Sequence, residues 1–183
     1  MTRLSIIVPT IGRLTLGATV RSLVEQPLQE GDEIIVVGGC ARPLARFANH
    51  PVRHLASPVG KNWGCLERTT GIGAASGTHL AFIDDDDIWL PGARAAIDEA
   101  LREHSEQPLL FRMRYRRTGR ELWSEPVLRM GNVSTQMMVL PNDPSKLGRW
   151  GARYEGDYDF LASMRWPVES IIWRDRVIAQ LGD

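Results

Sequence analysis

The 183-residue chain is nearly without lysine: of its 22 basic residues only Lys61 and Lys146 are lysine, and the rest are arginine. With 22 acidic residues the formal net charge is zero, so no overall field draws the chain to nucleic acid or to an anionic membrane. Two cysteines, Cys40 and Cys65, are too few for a disulfide framework, and neither belongs to a metal-type pair. A reducing compartment is therefore expected. No apolar stretch approaches the ~20 residues needed to span a bilayer. The run Leu4 to Val8 is stopped by Pro9 with no small-residue cleavage site after it, unlike a secretory leader. These shortages predict a cytoplasmic protein and leave peripheral membrane contact open. Repeats, low-complexity tracts and a clear linker are missing too, so one domain over 1–183 is expected.

What is present begins with an alternation of strand and helix signals. Leu4–Val8 is a short apolar run that reads as a buried strand. Leu16, Val20, Leu23 and Val24 then recur at helical spacing until Pro27. Glu33–Val37 is a second strand, ended by Gly38-Gly39, and Val52–Leu55 a short third. Residues 62–76 read as a helix weakened by glycine, 78–83 as a strand and 91–104 as a helix with Pro91 in its first turn. Such alternation predicts a parallel sheet with helical crossovers. The second half changes character. Two strands, 109–117 and 121–127, flank Thr118-Gly119 as a hairpin, 133–140 is a further strand, 157–164 starts a helix, and 170–181 is a last strand or helix. The division falls between 1–104 and 105–183.

The strand at 78–83 runs straight into Asp84-Asp85-Asp86-Asp87. Four adjacent carboxylates repel one another and resist burial, so something positive is expected beside them. They also stand at the carboxyl edge of the expected sheet, where open α/β folds bind ligands. Carboxylate oxygens suit Mg²⁺ or Mn²⁺, and Mg²⁺ takes one or two carboxylates and fills its shell with phosphate and water. The bland reading, a solvated acidic loop leading into the next helix, fits less well, because a buried strand feeds the run directly.

These blocks resemble family-2 glycosyltransferases of the GT-A fold. Leu4-Ser5-Ile6-Ile7-Val8-Pro9-Thr10 is similar to the family's opening strand and Glu33–Val37 to its second. Gly60-Lys61-Asn62-Trp63-Gly64, running on to Glu67–Gly77, resembles the helix before the metal motif. Phe82–Pro91 resembles the metal motif itself, and Tyr154–Phe160 the acidic motif that carries the base. The resemblance implies a GT-A-like α/β fold, mainly parallel with a smaller antiparallel part. It also implies inverting transfer from a nucleoside-diphosphate sugar, dependent on Mn²⁺ or Mg²⁺. Pro9, Thr10, Arg68, Asp84 and Asp85 would hold the donor nucleotide, Asp86 the metal with Asp87 close by, and Asp157 would be the general base. Glu155 and Asp159 are alternatives for the base. The acceptor would be a glycan, a lipid-linked or a small molecule, with Trp89, Thr135, Gln136 and Glu155 on its side. The chain departs from the family pattern at Gly38-Gly39, where an acid usually reads the base, and at Ile11-Gly12.

Other features weigh less. Thr70–Gly77 has a dinucleotide-like glycine pattern, but it precedes a strand instead of following one, so close helix–sheet packing is the better reading. Lys61 after Gly60 suits phosphate at a helix start, without the full P-loop spacing. Arg112, Arg114 and Arg116 share one strand face, either solvated or turned to phosphate. Trp150, like Trp89, is a candidate sugar platform. No metal spacing links His50, His54, His79 and His104. Two competing functions remain: a sugar-phosphate nucleotidyltransferase, and a binding module without turnover.

Overall fold

Leu4–Thr10 forms the first strand, β1, buried along its whole length, and a strand buried on both faces needs helices on each side. It pairs in parallel with Glu33–Gly38 (β2) and His79–Phe82 (β4), while β2 pairs in parallel with Val52–Ala56 (β3). The computed structural model describes residues 2–39, 42–58 and 62–182, with the side chains of 42 and 43 excepted. Cys40 and Lys61 lie outside the described residues. Leu16–Val24 (α1) buries Leu16, Val20 and Leu23, and Cys65–Ala74 (α2) packs on β1 and β2.

Glycine permits that last contact. A Cβ on Gly71 would stand 2.6 Å from Ile7 Cγ2, and one on Gly77 2.6 Å from the Ser5 amide nitrogen. The helix is shorter than 62–76 because Asn62 Oδ1 accepts the Gly64 N–H at 2.9 Å and the chain turns through positive φ at Trp63 (55°) and Gly64 (76°). At the far end of β2, Gly38 has φ 125°, and a Cβ there would lie 2.0 Å from the Thr10 carbonyl oxygen.

The second half completes the same sheet. Further elements are Ile88–Trp89 (β5), Ala93–Glu103 (α3), Leu109–Tyr115 (β6), Glu121–Leu122 (β7), Met138–Pro141 (β8), Gly156–Ala162 (α4) and Ile172–Leu181 (β9). The strand order among the described residues is β3-β2-β1-β4-β8-β6-β9-β5, with β7 on β6. β8 is antiparallel to β4 and to β6, and β5 to β9, whereas β9 runs parallel to β6 with register shifts around Arg112. The fold is thus α/β with a mainly parallel sheet and a smaller antiparallel part.

The hairpin forms, but β7 is only two residues long. The strand expected at 133–140 begins instead as a tight 3-10 turn, Thr135–Met137, and becomes extended only from Met138. Strand β5 has no periodic signal in two residues and is set by its pairing with Ala179 and Gln180.

α3 is pinned through charge. Arg94 donates from Nε to Asp32 Oδ2 at 2.8 Å and from Nη2 to Oδ1 at 3.2 Å, and also pairs with Asp98. Asp32 accepts the backbone N–H groups of Leu4 and Gln29 as well, so a fully buried ion pair ties the helix to the entry of β1. Removing one partner strands a buried charge, which typically costs about 3–5 kcal/mol. Arg94→Met is expected to lower the unfolding free energy by that amount, read as a lower denaturant midpoint with an unchanged slope. A loss below about 1 kcal/mol would show that the pair does not anchor the helix.

Candidate functional site

The four aspartates follow β4 in a tight turn closed by the Asp87 N–H donating to the Asp84 carbonyl at 3.1 Å. The turn directs them alternately. Asp85 is 3% exposed and Asp87 4%, while Asp84 and Asp86 are half-buried and line clefts. Each inward carboxylate is held by donors. Asp85 Oδ2 accepts from Thr10 Oγ1 at 2.6 Å and from the Ile11 N–H at 3.3 Å, and Arg13 Nη1 reaches Oδ1 at 2.9 Å. Asp87 Oδ1 accepts the Gly182 N–H at 2.8 Å, and its Oδ2 accepts from Gln136 Nε2.

The outward pair meets arginine. Arg13 Nη1 lies 2.7 Å from Asp86 Oδ2. Arg68 Nη2 lies 2.5 Å from Asp84 Oδ1, while its Nη1 donates to the Trp63 carbonyl at 2.6 Å. These are the positive groups that the repulsion of the run requires. Burial, opposed by Arg13 and aided by Asp84 and Asp85, still raises Asp86 above the ordinary carboxylate range. Burial and then Asp84 push Asp87 up to about 7, against its two hydrogen bonds.

Two adjoining clefts meet at Arg68 and Asp84. The smaller, about 190 Å³, is lined by Pro9, Thr10, Arg68, Asp84 and Asp85, among others. This brings together all five residues assigned to the donor from sequence. The larger, about 400 Å³, is lined by Asp84, Asp86, Asp87, Gln136, Glu155 and Asp157.

Asp157, in the first turn of α4, is cradled by the 134–136 segment. Thr135 Oγ1 donates to Oδ1 at 2.6 Å and the Thr135 N–H to Oδ2 at 3.1 Å, with Ser134 Oγ at 3.3 Å. Burial raises its pKa, while the Arg68 charge and the Thr135 hydrogen bond oppose the rise. The same segment reaches the acidic run. Ser134 Oγ donates to Gln136 Oε1 at 2.6 Å, and Gln136 Nε2 bridges Asp84 and Asp87. Asp159 is instead taken by Arg153, at 2.7 and 2.6 Å, which lowers its pKa. Glu155 lies on the cleft near Arg153, 3.8 Å away.

Four assignments on the acceptor side and one platform need correction or placement. Trp89 is 2% exposed in β5 and packs in the core, because the pairing of β5 with β9 turns it inward. It therefore offers no face to a sugar. Thr135 and Gln136 are buried and hold carboxylates; Thr135 does not line either cleft, while Gln136 lines the larger one with its amide bonded to Asp84 and Asp87. Glu155 does face the larger cleft. Trp150 stacks on Phe160 at 4.1 Å and carries the Arg68 guanidinium at 5.0 Å, so its ring backs the site.

The exposed aromatics of the cleft are Trp63, 62% exposed, and Tyr154, edge-to-face at 5.5 Å. Neither these two nor Arg13 was singled out from sequence. The demand of four carboxylates for a cation is the one sequence signal that points to Arg13. The hairpin arginines are partly committed: Arg112 to Asp175, the Trp123 carbonyl and the Trp123 ring, and Arg114 to Gln180. His79 bonds the Ser105 carbonyl at 2.7 Å and is buried. No described helix is long and apolar enough to cross a membrane.

Comparison with known proteins fits this geometry. In fold the chain is similar to S. aureus TarS, with a TM-score of 0.73 at 16% identity over 99% of this chain and 37% of that one. A structure of TarS 1–349 gives 0.74 at 16% identity, covering 98% and 60%. TarS 1–349 in complex with UDP-GlcNAc gives 0.70 at 15% identity, covering 99% and 58%. The chain thus spans between 37% and 60% of these TarS chains. No curated protein sequence matches it. Residues 5–151 match the sequence pattern of Glycosyl transferase family 2, and the chain belongs to that family.

Proposed function

We propose that this chain transfers a sugar, with inversion, from a nucleoside-diphosphate sugar to an acceptor hydroxyl, with Asp157 as general base. The observation that carries the reading is that Asp84 lines both clefts while Asp86 and Asp157 line the larger one together. The family membership and the UDP-GlcNAc complex of TarS 1–349 support a nucleotide-sugar donor, and weigh against a nucleotidyltransferase. The smaller cleft takes the nucleoside along Pro9 and Thr10, with Asp84 toward the ribose or base and Arg68 toward the diphosphate. The larger cleft takes the sugar and the acceptor.

The donor set fits Mn²⁺ or Mg²⁺. It is made only of carboxylate oxygen, and burial, with the charges of Asp84 and Asp85, holds Asp86 above its usual pKa in spite of Arg13. Among the described residues no three His, Cys, Asp or Glu converge as a complete ligand set. Asp86, with Asp87 beside it, would hold the ion while diphosphate oxygens and water fill the shell. The ion would neutralise the leaving diphosphate.

The protein's own part is positional and basic. Ser134 and Thr135 fix the Asp157 carboxylate, and its raised pKa makes it a better proton acceptor than a surface aspartate. The acceptor oxygen attacks the anomeric carbon as the bond to the diphosphate oxygen breaks, and the acceptor proton passes to Asp157.

Donor binding is tested by thermal unfolding with UDP, GDP, dTDP and CDP, each with and without Mn²⁺. A ligand at 100 times its Kd adds about 2.7 kcal/mol, or roughly 5–11 °C in a chain of this size. The rise is expected with Mn²⁺ in wild type and is expected to vanish in Asp86→Ala. No rise with any nucleotide removes the donor site.

Asp157→Asn is expected to keep the nucleotide-induced rise and to lose about 10²–10⁴-fold in transfer. Transfer is read as UDP release from UDP-GlcNAc against a panel of glycan, lipid-linked and small acceptors. Equal turnover in the two proteins takes Asp157 out of the base role.

The base acts only when ionised, so kcat/KM is expected to rise with pH through a midpoint above the ordinary carboxylate range. Thr135→Val removes the Oγ1–H donor to the ionised form and is expected to move that midpoint higher; an unmoved midpoint contradicts the assignment. The fold responds with the opposite sign. A raised folded-state pKa means the protonated form is favoured in the native protein. Its contribution is present below the unfolded carboxylate value and is lost as the pH climbs through the raised one.

A further inference from the structure

The smaller cleft contains an acid that the proposed chemistry does not use. Glu67, in the first turn of α2, lines it together with Pro9, Asn62 and Arg68 and is 2% exposed. Its Oε2 has no hydrogen-bond partner among the described residues. A buried carboxylate without a donor weakens a fold and is not explained by packing. It makes sense where a donor arrives with a ligand.

The neighbouring backbone narrows what that ligand is. The Glu67 Cγ lies 3.4 Å from the place a Cβ would occupy on Gly38, so the side chain lies against the carboxyl end of β2. Gly38 itself has φ 125° and the Thr10 carbonyl 2.0 Å from that Cβ position, and a Cβ on Gly39 would meet Ile11 backbone at 2.9 Å. No side chain fits there, and the Glu67 side chain of α2 lies against that backbone and lines this cleft.

A carboxylate repels a diphosphate. A bound nucleotide would therefore turn its phosphates toward Arg68 and an ion held at Asp86, and leave its neutral end for Glu67. The cleft, about 190 Å³, is smaller than the roughly 300–1,000 Å³ that encloses a whole drug-sized ligand. It suits a ring.

We propose that Glu67 reads the base of the donor nucleotide, accepting its ring N–H, and so selects uracil, thymine or guanine over cytosine and adenine. This assignment rests on the donor-site reading above. A carboxylate only accepts. Uracil, thymine and guanine carry a hydrogen on a ring nitrogen of the pairing edge. Cytosine and adenine present a lone pair there beside an amino group, and that lone pair would face Glu67. Glutamine both donates and accepts, as in its paired contact with adenine.

The test is calorimetric titration with UDP, dTDP, GDP, CDP and ADP in Mn²⁺, on wild type, Glu67→Leu and Glu67→Gln, with melting of each protein without nucleotide. Wild type is expected to bind at least one of UDP, dTDP and GDP tenfold or more tighter than CDP and ADP. Glu67→Leu is expected to weaken that affinity by roughly ten- to a hundredfold, the range of a hydrogen bond to a charged group, and to erase the ranking. Glu67→Gln is expected to narrow the gap to ADP or CDP. Both variants are expected to melt at or above the wild-type temperature without nucleotide, because Oε2 has no partner among the described residues to lose. A purely structural Glu67 would lower that temperature and leave the ranking intact, which overturns the proposal. A wild type that prefers CDP or ADP, or a Glu67→Leu protein with unchanged ranking, also overturns it while the donor site stands. Absence of any metal-dependent nucleotide binding in wild type would remove the donor-site reading and Glu67 with it.

Discussion

Carboxylates on four consecutive residues, fed by a buried strand, repel one another at close range in a medium that screens them poorly. The chain accommodates them by sending every second one inward to a set of donors, leaving Asp84 where two clefts meet and Asp86 on the larger of them. The donors come from the end of β1, the 134–136 turn and the C-terminal Gly182. The cations come from the loop after β1 and from α2. Segments distant in sequence therefore converge on one turn because the turn is charged. A neutral turn would not need them.

That convergence also couples the two ends of the site. Gln136 bridges Asp84 and Asp87 while its own carbonyl oxygen accepts from Ser134, which in turn reaches Asp157. Arg68 lies between, bonded to Asp84 and supported from below by Trp150. A shift of the aspartate turn would therefore be felt at Asp157 through hydrogen bonds only one residue long. Groups held by several mutual bonds reorganise little when charge develops, which is the property an ion-assisted displacement needs.

Sequence carried the parts of this that are local. Strands β1, β2 and β4 are continuous apolar runs, and their burial on both faces is written in residues 4–8, 33–37 and 78–83. The aspartate run announces itself by composition. The alternation within it does not, since it depends on donors up to 95 residues away. The turn at Thr135–Met137 reads as extended chain because Val133, Met137 and Val139 are apolar with even spacing; the bonds to Asp157 and Gln136 bend it. Trp89, Thr135 and Gln136 look like ligand contacts because their types suit sugars, and their burial shows only in the fold. Arg13 carries no pattern of its own.

The ends of β1 and β2 impose the last constraint. The Gly39 N–H donates to the Thr10 carbonyl at 3.0 Å, and His54 Nε2 lies 3.1 and 3.0 Å from the Gly38 and Gly39 carbonyl oxygens. Backbone fills this corner on both sides, so the strand end has no room for a side chain that could read a ligand. Among the described residues, the side chain set against this corner comes from α2. A helix held to the sheet through Gly71 is a more rigid mount than a strand-end loop. The close approach that removes a side chain from β2 thus leaves the charged groups of this corner on the helix, where Glu67 and Arg68 are adjacent and both line the smaller cleft.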